Sequence, residues 1–318
     1  MTPSPDGHSS HRGTVLVTGA SGYIGSTITE RLVSAGFRVR GLVRSTDGAA
    51  RAASHGAIPS AVALNEHDEI RRLADGAIAI IHTASAGPLP EPDIEAMIER
   101  ASANLECLIS VSKSHSIRLL VTSGASIYGD TSENPADEET PIPPGTMFGR
   151  LGTLEASLHD DPLVGIIRPS LVYGRGGSKP ILASIGPMIA DGRLVHAKPG
   201  TPISVVHVDD LADLYLRALT AERLPSVMLG ASQTLPTDDI LVAAARSVGM
   251  PESFETVNPT DLLERYSVLG YYTLIGMRID PSRTQKLLGW HPHRVPIIED
   301  LTGGSYAGLL RDRANAWS

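Results

Sequence analysis

The sequence predicts an α/β protein built on a doubly wound parallel sheet, and three observations support this fold class. Short runs rich in β-branched residues alternate with longer amphipathic runs from Thr14 to about Gly174. The run Ala77–His82 is almost continuously apolar, which is typical of a strand buried on both faces. A glycine-rich turn at Thr18–Gly25 joins the first strand to the first helix. Repeated strand–helix units of this kind favour a parallel sheet with helices on both sides.

The turn Thr18-Gly19-Ala20-Ser21-Gly22-Tyr23-Ile24-Gly25 has the chemistry that a dinucleotide diphosphate needs. Gly19 permits a tight turn, Gly22 lets a phosphate approach the backbone, and Gly25 lets the helix pack closely on the strand. The amides of the first helical turn then face the diphosphate at the positive end of the helix dipole. The sequence therefore predicts a Rossmann-type fold; the alternative is a glycine-rich turn without a ligand.

The other elements follow from local patterns along the chain. A proline is tolerated at a helix start, so the long fourth amphipathic run begins near Pro92. Asp209 and Asp210 lie where the last helix of the main domain begins, a position that suits acidic residues. The predicted strands are Thr14–Val17, Val39–Val43, Ile58–Leu64, Ala77–His82, Leu119–Thr122 and Val164–Arg168, and the predicted helices are Ile24–Ala35, Pro92–His115, Thr146–His159 and Val208–Leu219.

The pattern of apolar and polar residues changes after about residue 174, and this change predicts a second structural unit. Glycine, proline and serine cluster at 174–180 and again at 199–202, and regular alternation ceases. We expect residues 1–12 to be a disordered lead and residues 13–174 to be the dinucleotide-binding domain, completed by about 205–230. Residues of about 175–205 and 230–318 then form a smaller C-terminal substrate lobe.

Composition excludes several classes of function. The chain has 318 residues, of which 42% are hydrophobic, and a net charge of −8. The absence of a basic tract argues against binding to nucleic acid or to an anionic membrane. The single cysteine, Cys107, cannot form an internal disulfide and is expected to be a buried thiol. No apolar run approaches the ~20 residues of a membrane span, and no signal-peptide pattern precedes the first strand. We therefore expect a cytoplasmic protein.

Six segments, taken in order, carry a family resemblance. They are Thr18–Gly25, His82–Ser85, Thr122–Gly129, Arg168–Gly174, Val206–Ala212 and Leu288–Pro292. Together they resemble the extended, epimerase/dehydratase-like branch of the short-chain dehydrogenase/reductase superfamily. The resemblance covers nearly the whole chain, and it implies an enzyme that binds a nicotinamide dinucleotide.

The resemblance also implies which residues hold that cofactor. The diphosphate side consists of Thr18, Gly19, Ser21, Gly22, Tyr23, Ile24 and Gly25, and the nicotinamide side of Ala84, Thr122, Pro169, Leu171 and Val172. NAD-preferring relatives end the second strand with an acidic residue, whereas this strand continues into Arg44 and Ser45. An arginine can bind a 2′-phosphate, so we expect NADP rather than NAD. The alternative is that Arg44 is a solvated charge at a strand end.

The catalytic motif of the family is missing. The family uses a serine together with a tyrosine and a lysine four residues apart on one helix, where the pair moves a proton during hydride transfer. When the family's downstream glutamate is aligned with Glu155, Met147 occupies the tyrosine position and Leu151 the lysine position. Gly124 occupies the serine position. The chain thus resembles atypical members that keep the cofactor fold and lose the proton relay.

Few polar groups remain near the expected nicotinamide. Ser123 and Ser126 are candidate hydrogen-bond partners for a substrate oxygen, or their hydroxyls bind local backbone. His82 and His207 are interpreted as packing residues, and no metal is expected because the histidines lack metal-ligand spacing. The candidate substrate-binding residues are Ser85, Met147, Phe148 and Tyr271; the last lies in a tyrosine cluster that is otherwise an ordinary packed helix.

The sequence therefore leaves two kinds of function open. The first is an atypical NADP-binding oxidoreductase that acts by hydride transfer on a small, fairly apolar metabolite rather than a nucleotide sugar. The second is a non-redox enzyme, such as a cyclase or isomerase, or an NADP-binding sensor. A homodimer is expected to form through the helices near residues 92–115 and 146–159, as in relatives.

Overall fold

The computed structural model describes residues 11–84, 94–144, 149–262 and 274–317. The strands are β1 Thr14–Thr18, β2 Arg38–Val43, β3 Ile58–Ala61, β4 Ala77–His82, β5 Arg118–Thr122, β6 Val164–Pro169, β7 Leu171–Tyr173, β8 Leu194–His196, β9 Pro202–His207, β10 Val227–Gly230, β11 Gln233–Pro236 and β12 Phe254–Thr256. The helices are α1 Tyr23–Ser34, α2 Thr46–Ser54, α3 His67–Ala74, α4 Ile94–His115, α5 Gly149–Ala156, α6 Lys179–Asp191, α7 Val208–Thr220, α8 Thr237–Val248, α9 Ser282–Leu288, α10 Ile297–Gly303 and α11 Ala307–Trp317, with one 3₁₀ turn at Ala125–Tyr128.

A seven-stranded sheet with the order β10-β6-β5-β4-β1-β2-β3 forms the centre of the molecule. All of its strand pairs are parallel, so the predicted α/β fold is confirmed. The strand order reverses between β1 and β4, where Thr18 pairs with His82. A crevice opens at such a switch point, outside the carboxyl ends of the strands, and ligands of this fold class bind there.

Alternate side chains of the strands fill two separate cores, one on each face of the sheet. Val15 and Val17 of β1 pack with Ile28 of α1 and Leu211 of α7. Leu16, between them, points to the other face and packs in the core that contains Leu108 of α4. This division follows from the two-residue period of a strand, and it explains why the central strands are apolar throughout.

The remaining strands form two small sheets outside the main one. A three-stranded sheet has the order β11-β9-β7, and β12 pairs with β8. Around them lie α6, α8, α10 and α11, and their apolar side chains share a third core with residues of β7 and β9. We call this part of the molecule the small-sheet region.

Several predicted element boundaries differ from the structure, most of them by one residue. The third strand ends at Ala61 rather than Leu64 because the amide of Val62 donates to Ser60 O as well as to Val43 O, which turns the chain away. Helix α5 has its described part at Gly149–Ala156; the predicted start at Thr146 lies outside the described residues. Cys107 is 6% exposed, which confirms the predicted buried thiol. No helix within the described ranges is long and apolar enough to cross a bilayer.

Two late motifs of the sequence meet across the edge of the sheet. The indole Nε1 of Trp290, which is 1% exposed, donates to Asp210 O at 2.8 Å. The buried carboxylate of Asp210 accepts from the amides of His293 at 3.1 Å and Arg294 at 3.0 Å. These motifs therefore fasten the chain after α9 to the start of α7, which is a structural role.

Candidate functional site

The glycine turn between β1 and α1 is shaped by close backbone contacts. Gly19 has φ +71°, and a Cβ placed there would lie 2.9 Å from Ala84 N. A Cβ on Gly25 would lie 2.2 Å from Gly19 O, so only glycine fits. At Gly22 the nearest atom to an added Cβ is Gly19 O at 3.2 Å, a milder restriction. The turn brings the start of α1 and the end of β4 together.

The amino end of α1 has features that suit an anion. Gly22 is its N-cap and offers no side-chain acceptor, and the first turn contains no acidic residue. The first amides of a helix have no partner inside the helix, so here they are available to a ligand oxygen. This donor set, together with the close turn, fits a diphosphate, and the residues present therefore fit a dinucleotide.

The side chain of Tyr23 contacts the chain after β7. Its hydroxyl donates to Gly174 O at 2.8 Å, and a Cβ on Gly177 would lie 2.3 Å from its ring. Burial raises the pKa of the phenol, and so does the nearby Tyr306. The side chain of Tyr23 therefore fastens the glycine turn to the chain after β7.

A second polar group of residues lies at the carboxyl end of β2. Arg44 is exposed, and Ser45 is the N-cap of α2, where its Oγ accepts from Gly48 N at 3.1 Å. A Cβ on Gly48 would lie 3.3 Å from both Ser21 Oγ and Ser45 Oγ. The structure thus brings the predicted residues Ser21, Arg44 and Ser45 to one place, beside the glycine turn.

The carboxyl ends of β1 and β4 are joined by buried hydrogen bonds. His82 Nδ1 lies 2.7 Å from Thr18 Oγ1, and Thr83 Oγ1 donates to Thr18 O at 2.7 Å. Burial lowers the pKa of His82 to about 4. His82 is therefore neutral near pH 7, which agrees with its interpretation as a packing residue. Burial likewise lowers the pKa of His207, which caps α7 by accepting from Asp209 N.

The hydroxyl groups at the end of β5 and after it differ in their hydrogen-bond partners. Thr122 Oγ1 lies 2.5 Å from Tyr215 OH, so it is bonded toward α7. Ser123 donates to the carboxylate of Glu155. Ser126 lies in the 3₁₀ turn and is half-buried, and its hydroxyl has no hydrogen-bond partner among the residues that the structure describes.

A buried ion pair lies behind these serines, and the sequence analysis missed its role. Arg168 Nε donates to Glu155 Oε2 at 2.9 Å, and Nη2 lies 2.8 Å from the same oxygen at an angle unsuited to a hydrogen bond. Arg168 Nη1 donates to Tyr128 OH at 2.7 Å. The signals in the sequence were Arg168 at the end of an apolar strand and Glu155 at the position of the family's glutamate, and neither indicated that the two residues pair. The pair ties α5 to the ends of β5 and β6.

The other predicted nicotinamide-side residues follow β6. Pro169 is buried beside Gly230, and Leu171 packs in the core of the small-sheet region. Val172 and Ile24 are partly buried against the same core as α1 and α7. Ala84 lies beside the glycine turn. The candidate substrate-binding residues Ser85, Met147, Phe148 and Tyr271 lie outside the described residues.

A cavity of about 1470 Å³ lies elsewhere, between the loop 138–144, α5 and the segment 220–227. None of the predicted cofactor-binding residues that the structure describes lines it. Within the described ranges, no group of three or more histidine, cysteine or acidic residues is placed to hold a metal ion.

Comparisons with known proteins agree with this geometry. The NAD dependent epimerase/dehydratase family matches residues 15–228. An uncharacterized protein of Schizosaccharomyces pombe is 27% identical over 92% of this chain and 99% of its own length. A UDP-glucose 4-epimerase of Mycolicibacterium smegmatis is 25% identical over 90% of this chain and 95% of its own.

A similar fold occurs in the crystal structure of a UDP-glucose-4-epimerase from Stenotrophomonas maltophila with bound NAD. The TM-score is 0.75 at 17% identity, and the match covers 96% of this chain and 100% of that one. The family match spans the glycine turn, the open amino end of α1 and strands β1 to β6, which are the parts that form the crevice. The chain therefore belongs to the NAD dependent epimerase/dehydratase family, in the extended branch of the short-chain dehydrogenase/reductases.

Proposed function

We propose that the protein is an NADP-dependent oxidoreductase that moves a hydride to or from a small, fairly apolar metabolite without a tyrosine–lysine relay. The observation that carries this proposal is the uncapped amino end of α1 beneath an intact glycine turn. A protein that had lost cofactor binding would not need Gly25 so close to Gly19 O. The sequence also contains no tyrosine followed four residues later by lysine.

The residues of the crevice divide the work of holding the cofactor. The amides of Tyr23, Ile24 and Gly25 bind the diphosphate, where the helix dipole adds to their attraction. Bound there, NADP supplies the hydride chemistry. The ends of β4, β5 and β6 then form the wall beside the nicotinamide.

A preference for NADP follows from the charge at the end of β2. The exposed Arg44 is free to bond a 2′-phosphate, and the hydroxyls of Ser45 and Ser21 lie close by. No carboxylate occurs from Leu42 to Thr46 to repel that phosphate. A charge-assisted hydrogen bond of this kind contributes about 1.5–3 kcal/mol.

Calorimetric titration with NADPH and NADH tests this proposal. We expect NADPH to bind more tightly than NADH. Arg44→Ala should weaken the affinity for NADPH by about tenfold or more and leave the affinity for NADH unchanged. Arg223→Ala is the matched control, because Arg223 is also exposed and lies beyond α7, away from the turn. Equal affinity for the two nucleotides, unchanged in the Arg44 variant, would contradict the NADP preference.

A non-redox reaction is the second candidate, favoured by the relative named as an epimerase. A redox enzyme consumes NADPH in proportion to product, whereas an isomerase or cyclase makes product without net oxidation. Following nucleotide absorbance and product together for each candidate metabolite separates the two. Rapid turnover of a UDP-sugar would contradict the proposed apolar substrate.

A homodimer in the cytoplasm remains part of the proposal. The surfaces of α4 and α5 are the expected interface, and light scattering on purified protein tests it. We expect no binding to nucleic acid or membranes because the net charge is −8.

A further inference from the structure

The hydroxyl groups at the carboxyl ends of β4, β5 and β6 are almost all bonded within the protein. Thr83 donates to Thr18 O, and Ser170 donates to Gly230 O at 2.9 Å. Thr122 is paired with Tyr215, and Ser123 with Glu155. Ser126 differs from these four, because no side-chain hydrogen bond is found for it within the described ranges.

The hydrogen bond from Ser123 to Glu155 limits how Ser123 can interact with a substrate. A serine has one hydroxyl proton, and Ser123 gives it to a carboxylate held by a buried arginine. A hydroxyl that polarises a carbonyl must donate a hydrogen bond to the carbonyl oxygen. Ser123 is therefore unsuited to that role, although it can still accept a hydrogen bond.

Ser126 lies close to position 124, where the family's serine would be. Among the residues that the structure describes, a Cβ added to Gly124 meets one atom within 4 Å, which is Ser126 Oγ at 3.6 Å, an ordinary contact. Gly124 has φ −159° and ψ 145°, an extended conformation that any residue adopts. The backbone therefore does not require glycine at 124, and the hydroxyl of Ser126 lies beside the place that a side chain at 124 would occupy.

The turn that carries Ser126 is rigidly held. Its neighbours Ala125, Ile127 and Tyr128 are all at most 3% exposed. The hydroxyl of Tyr128 accepts from Arg168 Nη1, which links the turn to the buried ion pair. A polar group on such a support is preorganised, which is what stabilisation of a developing negative charge requires.

We infer that Ser126 provides the hydroxyl that binds the reacting oxygen of the substrate, in place of the serine absent at position 124. This inference rests on the proposed hydride-transfer function. In the reducing direction the carbonyl carbon takes the hydride of NADPH, and the oxygen takes a proton from solvent. Ser126 donates a hydrogen bond to that oxygen throughout.

The kinetic test uses p-nitrobenzaldehyde as the probe carbonyl, with NADPH. Loss of one hydrogen-bond donor to a developing oxyanion lowers kcat by about 10²–10³-fold. We therefore expect the kcat of Ser126→Ala to be lower than that of wild type by about this factor. Ser126→Thr keeps a hydroxyl and most of the activity. The double variant Ser126→Ala with Gly124→Ser returns a hydroxyl to the family's serine position. Its kcat should be at least about tenfold higher than that of Ser126→Ala.

Two controls accompany these variants. The melting temperature of Ser126→Ala should match wild type because the side chain makes no hydrogen bond to lose. The affinity for NADPH should also be unchanged. Unchanged kcat in Ser126→Ala, with NADPH still bound, overturns the inference and leaves the proposed function standing. Failure of wild type to bind NADPH overturns the proposed function, and the inference falls with it.

A structural readout is independent of turnover. Crystals of wild type are soaked with NADP⁺ and p-nitrobenzyl alcohol, the product of the probe. The alcohol oxygen, or an ordered water in its place, should lie within hydrogen-bonding distance of Ser126 Oγ. An oxygen held by a different side chain, or a Ser126 hydroxyl bonded to a backbone carbonyl, overturns the inference.

Discussion

The ion pair between Glu155 and Arg168 offers a stringent test of how the crevice is supported. Arg168 is 1% exposed and Glu155 is 4% exposed, so water screens neither charge. Replacing Arg168 with methionine keeps much of the side-chain volume and removes the charge. Among the described residues, the buried carboxylate of Glu155 then keeps the hydroxyl of Ser123 as its hydrogen-bond partner.

The size of the effect follows from the loss of one partner of a buried pair. Removing one charge of such a pair costs about 3–5 kcal/mol, mainly because the other charge stays buried and uncompensated. The free energy of unfolding of a typical protein is only about 5–15 kcal/mol, so this is a large fraction. With an unfolding entropy of roughly 2.1 cal/mol/K per residue, the melting temperature should fall by about 4–8 °C.

Differential scanning calorimetry of wild type, Arg168→Met, Glu155→Leu and the double variant measures this directly. Each single variant leaves one buried charge alone, whereas the double variant leaves none. Replacing a whole buried pair with apolar groups is often neutral or stabilising. We therefore expect the double variant to be more stable than either single variant, with a coupling energy of about 2 kcal/mol or more.

Two results would refute this reasoning. One is a melting temperature of Arg168→Met within about 1.5 °C of wild type, which corresponds to about 1 kcal/mol. The other is strict additivity of the two single changes in the double variant. Either result would mean that the two charges do not depend on each other in the folded protein.

Two further perturbations test the glycine turn and the buried histidine. Gly25→Ala places a Cβ 2.2 Å from Gly19 O, so we expect NADPH binding to be lost while far-ultraviolet circular dichroism shows a folded protein; normal affinity would contradict the close approach. Folding lowers the pKa of His82 from 6.5 to about 4. Between these two pH values the histidine is protonated in the unfolded state and neutral in the native state. Stability should therefore fall as the pH drops through this window, by about 3 kcal/mol in total. His82→Asn should remove this component, and parallel pH dependences of wild type and variant in thermal melts would contradict it.

The fold was predictable from the sequence because local and long-range signals agree. The glycine turn has a strand before it and a helix after it, and the apolar strands match the two-sided burial found for Val15, Leu16 and Val17. The late motifs at Asp210 and Trp290 were recognised as family segments. Their mutual hydrogen bond could not be foreseen, because it joins residues far apart in the chain.

The candidate site was predictable in composition but not in its hydrogen bonds. Ser123 and Ser126 look equivalent in the sequence, and only the position of α5 gives Ser123 a carboxylate partner. Tyr23 is predicted at the diphosphate, which the hydrogen bond of its hydroxyl to Gly174 O leaves untested, and the sequence pattern did not indicate that bond. In each case a tertiary contact determines the hydrogen-bond partner of a side chain, and the local sequence does not predict that contact. The assigned roles of the cofactor and substrate residues remain predictions.

The contact between Tyr23 and the chain after β7 makes the glycine turn depend on residues that come much later in the sequence. Gly174 N and Ser178 N both donate to Tyr306 OH, at 3.0 and 3.3 Å, so the segment that holds Tyr23 is itself held just before helix α11. During synthesis the glycine turn emerges well before residue 306 and lacks this support until then. We therefore expect a chain that stops short of Tyr306 to hold the glycine turn less firmly.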